Sequence, residues 1–450
     1  MARNLIALWG TSRDLRTLVE GVDSFPKYRL LSRLMQAAER HVSDCSQFTP
    51  RLVCTSASML GFLRPQQQER LVTAAVGFAD SKDRAMAIAS LCPEVAHLTE
   101  TQRERLVESV IATPTSCSSE KAESIGMLGA GAEHLSELQR KRLVATAIAM
   151  EDPYMTIAIH GLSSGLAHLS EPQRNSLVAA AMGIGYGIYK AHAIAGLGAG
   201  MAHLNESQRE RLVSAALGFV WDGNKADAIA GLGAGMAHLS ESQRERLVAA
   251  ALSFGDLSSK GVAIAGLGAG VAPLNEPQRQ SLFAATMDLG DGFLQARAIA
   301  GLGAGVAHLS ESQRKSFVAV TLGLADSFDK VLAIKGLSAG AAHLSDSQRE
   351  SIVVAAFGLR DSFQRADAIS GLGAAVAHLS ESQREDLVAA ARGLSADNEK
   401  ALAIAGLSAG VAHLSEAQCE SLVAAAIALG VETRAIAGLA RHLQNSLTWR

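Results

Sequence analysis

The sequence predicts an all-α fold, a right-handed α-solenoid of about eleven stacked two-helix repeats. Three observations lead there. The phrase H-L-S-E-S-Q-R returns with small variations along the 450-residue chain, and its glutamine stands at Gln67, Gln102, Gln139, Gln173, Gln208, Gln243, Gln278, Gln313, Gln348, Gln383 and Gln418. The interval is 35 residues almost throughout, with one of 37 and one of 34 near the start. The composition is that of helices: 48% hydrophobic but only 4% aromatic, with nine prolines, so the core must be built from Ala, Leu, Val and Ile. Self-similarity at such a period marks units that bury a continuous core only by stacking.

The array covers residues 51–430. Residues 1–50 form a divergent N-terminal cap with a helical stretch from Tyr28 to Val42, and residues 431–450 form a C-terminal half-repeat cap. Atypical ends are what a stack requires, because terminal units show water a face that inner units bury.

Each unit opens with helix A, which carries AIAGLGAGMAHL at 228–239. Ile229, Leu232, Met236 and Leu239 recur at three, four and three residues, one face of a helix. Gly231 and Gly235 lie on another face, as do Ala230 and Ala234. A glycine inside a helix costs roughly 1 kcal/mol against alanine, a cost compatible with close approach of a second backbone. GLGAG has the look of a phosphate-cradling turn, and it recurs at 196–200, 266–270 and 301–305 with variants in five further units. A phosphate turn sits directly at a helix N-terminus, whereas these glycines precede the next helix start, so a packing surface is expected.

Helix B begins at a capping box. Its cap position holds Thr99, Ser136, Ser170, Asn205, Ser240, Asn275, Ser310, Ser345, Ser380 and Ser415, each followed three residues on by Gln. An acidic residue follows the cap, favourable against the helix dipole, and Pro172 and Pro277 fall in the first turn, where proline is tolerated. About four turns through R-x-x-L-V-A-A-A complete the helix, and a variable connector such as SFGDLSSK at 253–260 leads to the next unit.

Three columns could carry chemistry. Nine of the thirteen histidines share one position, from His97 to His413. Equivalent atoms in stacked helices stand about 8–10 Å apart, too far to share an ion held at about 2 Å, so this column reads as helix C-terminal structure. An arginine column from Arg103 to Arg384 runs beside the glutamate column from Glu100 to Glu416, and the two are expected to lace neighbouring units by ion pairs. The connectors hold most of the differences between units. A repeat protein keeps its packing positions alike and varies the surface it uses, so Tyr186, Tyr189, Trp221, Asn224, Asp256, Phe293, Phe328 and Phe363 are the candidate partner-binding residues. The last three, spaced 35 apart, also read as staples in the first turn of helix A.

No Walker motif, zinc-protease motif or nucleophile elbow occurs, and an array of near-copies offers no unique catalytic constellation. The expectation is a protein that is not an enzyme, with no catalytic residues, no cofactor and no metal. The net charge of -3 gives no basic field for a polyanion and no polybasic membrane signal. Five cysteines without a CxxC imply neither a disulfide frame nor a zinc site. The opening residues lack a Sec signal and no apolar stretch is long enough to span a bilayer. Arg in excess of Lys with abundant Ala and Gly points to a bacterial source.

A 35-residue helical hairpin repeat resembles the HEAT, armadillo and tetratricopeptide solenoids in architecture, without the tetratricopeptide signature of Trp, Gly, Tyr and Pro. The phrase Leu309-Ser310-Glu311-Ser312-Gln313 is also similar to the Leu-Thr-x-x-Gln opening of transcription-activator-like effector repeats, although no two-residue code position recurs and their second-helix proline is absent. The first resemblance implies a protein or peptide partner; the second implies a nucleic-acid-binding array, which is the alternative. A monomeric cytoplasmic scaffold, off the membrane, or a bacterial effector acting on host proteins, is the expected biology.

Overall fold

The computed structural model describes residues 48–429 apart from 58 and 59, together with residue 439. The expected caps at 1–50 and 431–450, and the helical stretch at 28–42, therefore fall outside the described residues except for 48–50 and 439. Of the described residues 81% are helical, in 22 α-helices joined by short 3₁₀ turns, and none lies in a strand. The fold is an all-α stack of two-helix repeats, as the sequence predicts. Its contacts divide it into two compact units, residues 75–317 and the residues up to 74 with those from 318 onward.

In residues 75–317 the A helices are Ser81–Leu91, Ser118–Ala130, Asp152–Leu162, Gly187–Gly198, Asp222–Gly233, Leu257–Gly268 and Gly292–Gly303. They stack in one row, each on the next. The B helices Glu100–Ala112, Glu137–Ile148, Glu171–Gly183, Glu206–Leu217, Glu241–Ser253 and Glu276–Met287 form the second row. The other unit repeats the pattern with A helices Ser327–Ala339, Ser362–Leu372 and Asp397–Leu407 and B helices Asp346–Phe357, Glu381–Gly393 and Glu416–Ala428. The core lies between the rows. Ile229, Leu232 and Met236 from A meet Leu247 and Ala251 from B, all fully buried. Among the described residues no helix is long and apolar enough to cross a membrane.

Helix A does not run on as an α-helix through its glycines. It stops at Gly233, Gly235 sits at φ -96°, ψ 5°, and Met236–His238 closes as a 3₁₀ turn before Leu239 extends. The stripe of Ile229, Leu232, Met236 and Leu239 stays buried, but its lower half is carried by the tighter turn. The glycines make room for the neighbouring backbone. A Cβ on Gly231 would lie 2.2 Å from the Ala195 Cα of the preceding unit, and one on Gly233 would lie 2.0 Å from the Gly266 oxygen of the following unit. The A helices thus meet backbone to backbone, whereas the B helices stand further apart and meet through side chains.

The start of helix B is as expected. The cap side chain accepts from the glutamine N–H at 2.9–3.3 Å, and the glutamine Oε1 accepts from the cap N–H at 2.8–3.1 Å. At Ser170 the second of these bonds is retained at 2.8 Å. The same glutamine does a second job. Its Nε2 donates to the glutamate that opens the preceding B helix, from Gln139 to Glu100, Gln173 to Glu137, Gln243 to Glu206 and Gln418 to Glu381, at 2.9–3.1 Å.

The arginine column is corrected by the structure. Seven of the nine arginines pair with the acidic residue that opens their own helix B, as in Arg103–Glu100 at 3.1 Å and Arg279–Glu276 at 2.8 Å, because residues three apart share a helix face. The lacing between units is shared by the glutamines and by arginines outside this column, Arg142 with Glu104 and Arg246 with Glu210 at 2.7 Å. In seven of the nine a guanidinium nitrogen reaches back to the carbonyls that end helix A; Arg103 donates to Leu98 O at 2.7 Å and Val95 O at 3.3 Å. With side chains only 15–19% exposed, these arginines are fasteners between A and B. In the first unit Gln68 takes over, donating to Leu60 O at 2.8 Å, and in the last the buried Cys419 thiol faces Val411 O and Leu414 O.

Candidate partner-binding surface

The residue preceding helix A defines a column of its own. Asp80, Asp256, Asp291, Asp326 and Asp361 fill it, and each carboxylate accepts from backbone N–H groups of the first turn at 2.7–3.3 Å. An aspartate here satisfies donors that a helix start leaves orphaned. At Asp256 the bond from the Ser259 hydroxyl, at 2.7 Å, comes first in holding the carboxyl below its usual range. Of the predicted partner-binding residues, Asp256 is therefore engaged in its own helix cap.

Five of the ten units lack the aspartate: Cys117, Glu151, Tyr186, Trp221 and Ala396 stand there without a side-chain cap bond, and in two successive units the replacement is aromatic. Tyr186 and Trp221 stand where the aspartate would be, make no side-chain cap bond, and are 72% and 76% exposed. Their backbones keep the capping conformation: Trp221 has φ -85°, ψ 124° against -78°, 122° at Asp256. Tyr189 packs beside Tyr186 with ring centroids 5.9 Å apart, and its carbonyl accepts from the Thr156 hydroxyl of the preceding unit at 3.1 Å. Asn224 is half-buried against Gly187, whose Cβ, if present, would lie 2.7 Å from the amide nitrogen. These contacts join the connectors of successive units into one edge. Gly185 N–H, donating to Asp152 at 3.1 Å, extends that edge by another unit.

Phe293 lies further along the same row of helix starts and is 42% exposed. Phe328 and Phe363, in the other unit, are 57% and 54% exposed. A staple is covered by its own helix, so the exposure of all three departs from that reading. Sequence reasoning missed Val220, at 89% exposure the barest large apolar residue of the edge, along with Ile188 and Leu257. The signal was present: the column of Val220 holds Gly185, Gly255, Gly290 and Ala325 in other units.

A second surface lies on the A row. A shallow groove of about 670 Å³ crosses five A helices and is floored by Ala195, Gly196, Ala230, Gly231, Ala265 and Gly266, with Met127, Ile157 and His160 at one end. Its floor is smooth because helices in backbone contact leave no room for larger side chains between them.

The histidine column ends the 3₁₀ turns, exposed or half-exposed, with His97 3.7 Å from Glu94 and His134 3.1 Å from Glu133. Among the described residues no three His, Cys, Asp or Glu side chains come together as a metal site would need. Cys92 is buried and its thiol pKa is raised by desolvation, which makes it inert packing.

No family model matches this sequence, and no curated protein matches it. Among solved structures the chain is similar to Kap121p at 11% identity and a TM-score of 0.38, covering 95% of this chain and 52% of that one. It is similar to Kap121p bound to Pho4p at 9% and 0.39, covering 94% and 54%, and to Kap95p in a structure with RanGDP at 13% and 0.32, covering 93% and 55%. The chain spans about half the length of these proteins. Likeness of this degree says nothing of shared function.

Proposed function

We propose that this chain is a non-enzymatic protein-binding scaffold that docks a protein or peptide partner along the connector edge of residues 75–317. One observation carries the reading. In two adjacent units the capping aspartate is given up for Tyr186 and Trp221, both mostly exposed, beside the bare Val220 and Ile188. Loss of a cap costs about 1 kcal/mol, and exposed large apolar side chains in a contiguous row mark interaction sites. Tyr and Trp are the residues that most often anchor protein interfaces. The scaffold acts as a monomer in a cytoplasm, and an effector delivered to host cells is the biology that suits it.

The test compares capture of partners by the wild type and by a Tyr186→Ala, Trp221→Ala variant, quantified by mass spectrometry. Both side chains are solvent-facing, so the variant keeps its helical signal. Selective loss of specific partners is expected. Retention of the same set, or tight binding to DNA or RNA that weakens steeply with salt, would overturn the proposal.

A further inference from the structure

The unit that includes the residues from 318 onward holds a second recognition feature, and it has a charge. A groove of about 620 Å³ runs between the B helices Glu311–Gly323 and Asp346–Phe357 and the connectors that follow them. Leu322 and Val354 supply its apolar floor, 38% and 61% exposed. Lys330 and Arg360 line it, and no carboxylate does.

Three comparisons inside the chain bear on this groove. Lys330 belongs to a basic column one turn into helix A, three members of which close the preceding B helix. Arg84 donates to Phe78 O at 2.7 Å, Lys121 to Ile111 O at 2.7 Å and Arg365 to Leu359 O at 3.2 Å. Among the described residues the Lys330 ammonium, like those of Lys190, Lys225 and Lys260, has no such acceptor, and neither it nor Arg360 forms an ion pair. Second, two lining residues depart from their columns. Val354 replaces the Ala or Ser found at Ala249, Ser214, Ala319 and Ala389, and Arg360 replaces the small residues at Gly255, Gly290, Ala325 and Ser395. Third, the equivalent groove two units on, of about 770 Å³, pairs its cations with its own acids: Asp397 and Glu420 line it beside Arg392 and Lys400, with Lys400–Asp397 at 4.0 Å. Of these two grooves, the first leaves its positive charge for something else.

The geometry points to an acidic peptide segment as its occupant, with an aliphatic or aromatic side chain on Leu322 and Val354 and carboxylates on Lys330 and Arg360. This inference deepens the protein-binding reading and rests on it, but at a site separate from Tyr186 and Trp221. Arginine takes a carboxylate in a two-pronged grip and lysine as a point charge, which suits two acids flanking one apolar residue.

The probe is a fluorescein-labelled octapeptide of alternating aspartate and leucine, titrated into the full chain by fluorescence anisotropy. Saturable binding is expected, about tenfold weaker for Lys330→Ala, Arg360→Ala and severalfold weaker for Val354→Ala. The Tyr186→Ala, Trp221→Ala variant binds it like the wild type, and the same peptide with asparagine in place of aspartate binds at least as weakly as the cation variant measures. All three altered groove residues lie on the surface, and circular dichroism verifies that the variants stay folded. No saturable binding, equal affinity for the cation variant, or tighter binding of an oligothymidylate of equal length would overturn the proposal. Failure here with selective partner loss at Tyr186 and Trp221 removes the groove alone; the reverse pattern removes the aromatic edge alone.

Discussion

Replacing Trp221 with aspartate and with alanine separates what the residue does for binding from what it withholds from folding. Both changes remove the same indole, 76% exposed in the native chain, so both forfeit the same small buried area. The aspartate alone regains a cap. Its backbone already sits within about 10° of the capping geometry at Asp256, where the carboxylate accepts at 2.8 Å from Ser259 N and 3.3 Å from Ser258 N. A recovered cap is worth about 1 kcal/mol, with a few tenths more from a negative charge at the helix start. Trp221→Asp should therefore be more stable than Trp221→Ala by about 1 kcal/mol, or about 2–4 °C in the melting of a unit this size. Both variants should lose partner binding equally. Thermal denaturation followed by circular dichroism at pH 7, with Trp221→Asn as the uncharged control, gives the answer. Equal melting of the aspartate and alanine variants would refute the view that this column is a cap column surrendered for an exposed ring.

Other consequences are as direct. Gly231→Ala should destabilise by about 1–3 kcal/mol in urea unfolding, because its Cβ falls 2.2 Å from a backbone atom. Gly223→Ala, with nothing within 4 Å, should stabilise by about 0.5 kcal/mol. Glu210 has its pKa pulled down to about 2, first by the bond from Arg246 at 2.7 Å, then by Ser214 and Gln243. An unfolded glutamate titrates near ~4.3; the bonds therefore stabilise fully above that pH, and their contribution fades as pH falls towards about 2. Melting curves of the wild type and Glu210→Gln should differ by a constant amount above pH 5 and converge below pH 4, with the 44% exposure of Glu210 keeping that amount small. Gln243→Glu sets a carboxylate against Glu206 and Glu210. It should cost about 1–3 kcal/mol at pH 7 and less at pH 4, where the acids begin to protonate.

The parts of the fold legible in the sequence were those whose chemistry is local. A cap and its glutamine lie three residues apart, so Ser240 and Gln243 announce the start of helix B without reference to any other unit. Gly231 and Gly235 declare a bare face by their spacing. What could not be read depends on the neighbour. How near Ala195 and Gly266 come to the helix A glycines is set by the adjoining units, and the second bond of Gln139, Gln173, Gln243 and Gln418 needs the preceding unit in place. The arginines looked like links between units because Glu and Arg columns alternate; only coordinates show Arg103 spending its guanidinium on Leu98, Val95 and Glu100. At the candidate site the aromatic residues were legible as departures from pattern. That Tyr186 and Trp221 occupy a capping position, and that Val220 is bare beside them, follows once the connectors are aligned position by position.

The uneven spacing of the two rows has a mechanical meaning. From residue 118 to residue 303 the A helices are in hard backbone contact, so that row can be neither shortened nor slid. The B row, held by side chains and glutamine bridges, retains some give. A strip with one inextensible side and one elastic side flexes in a single plane, like a watch strap, and resists twisting. A partner that grips several connectors at once would meet a surface with one soft degree of freedom, and its binding would register as a change in the spacing of the B helices.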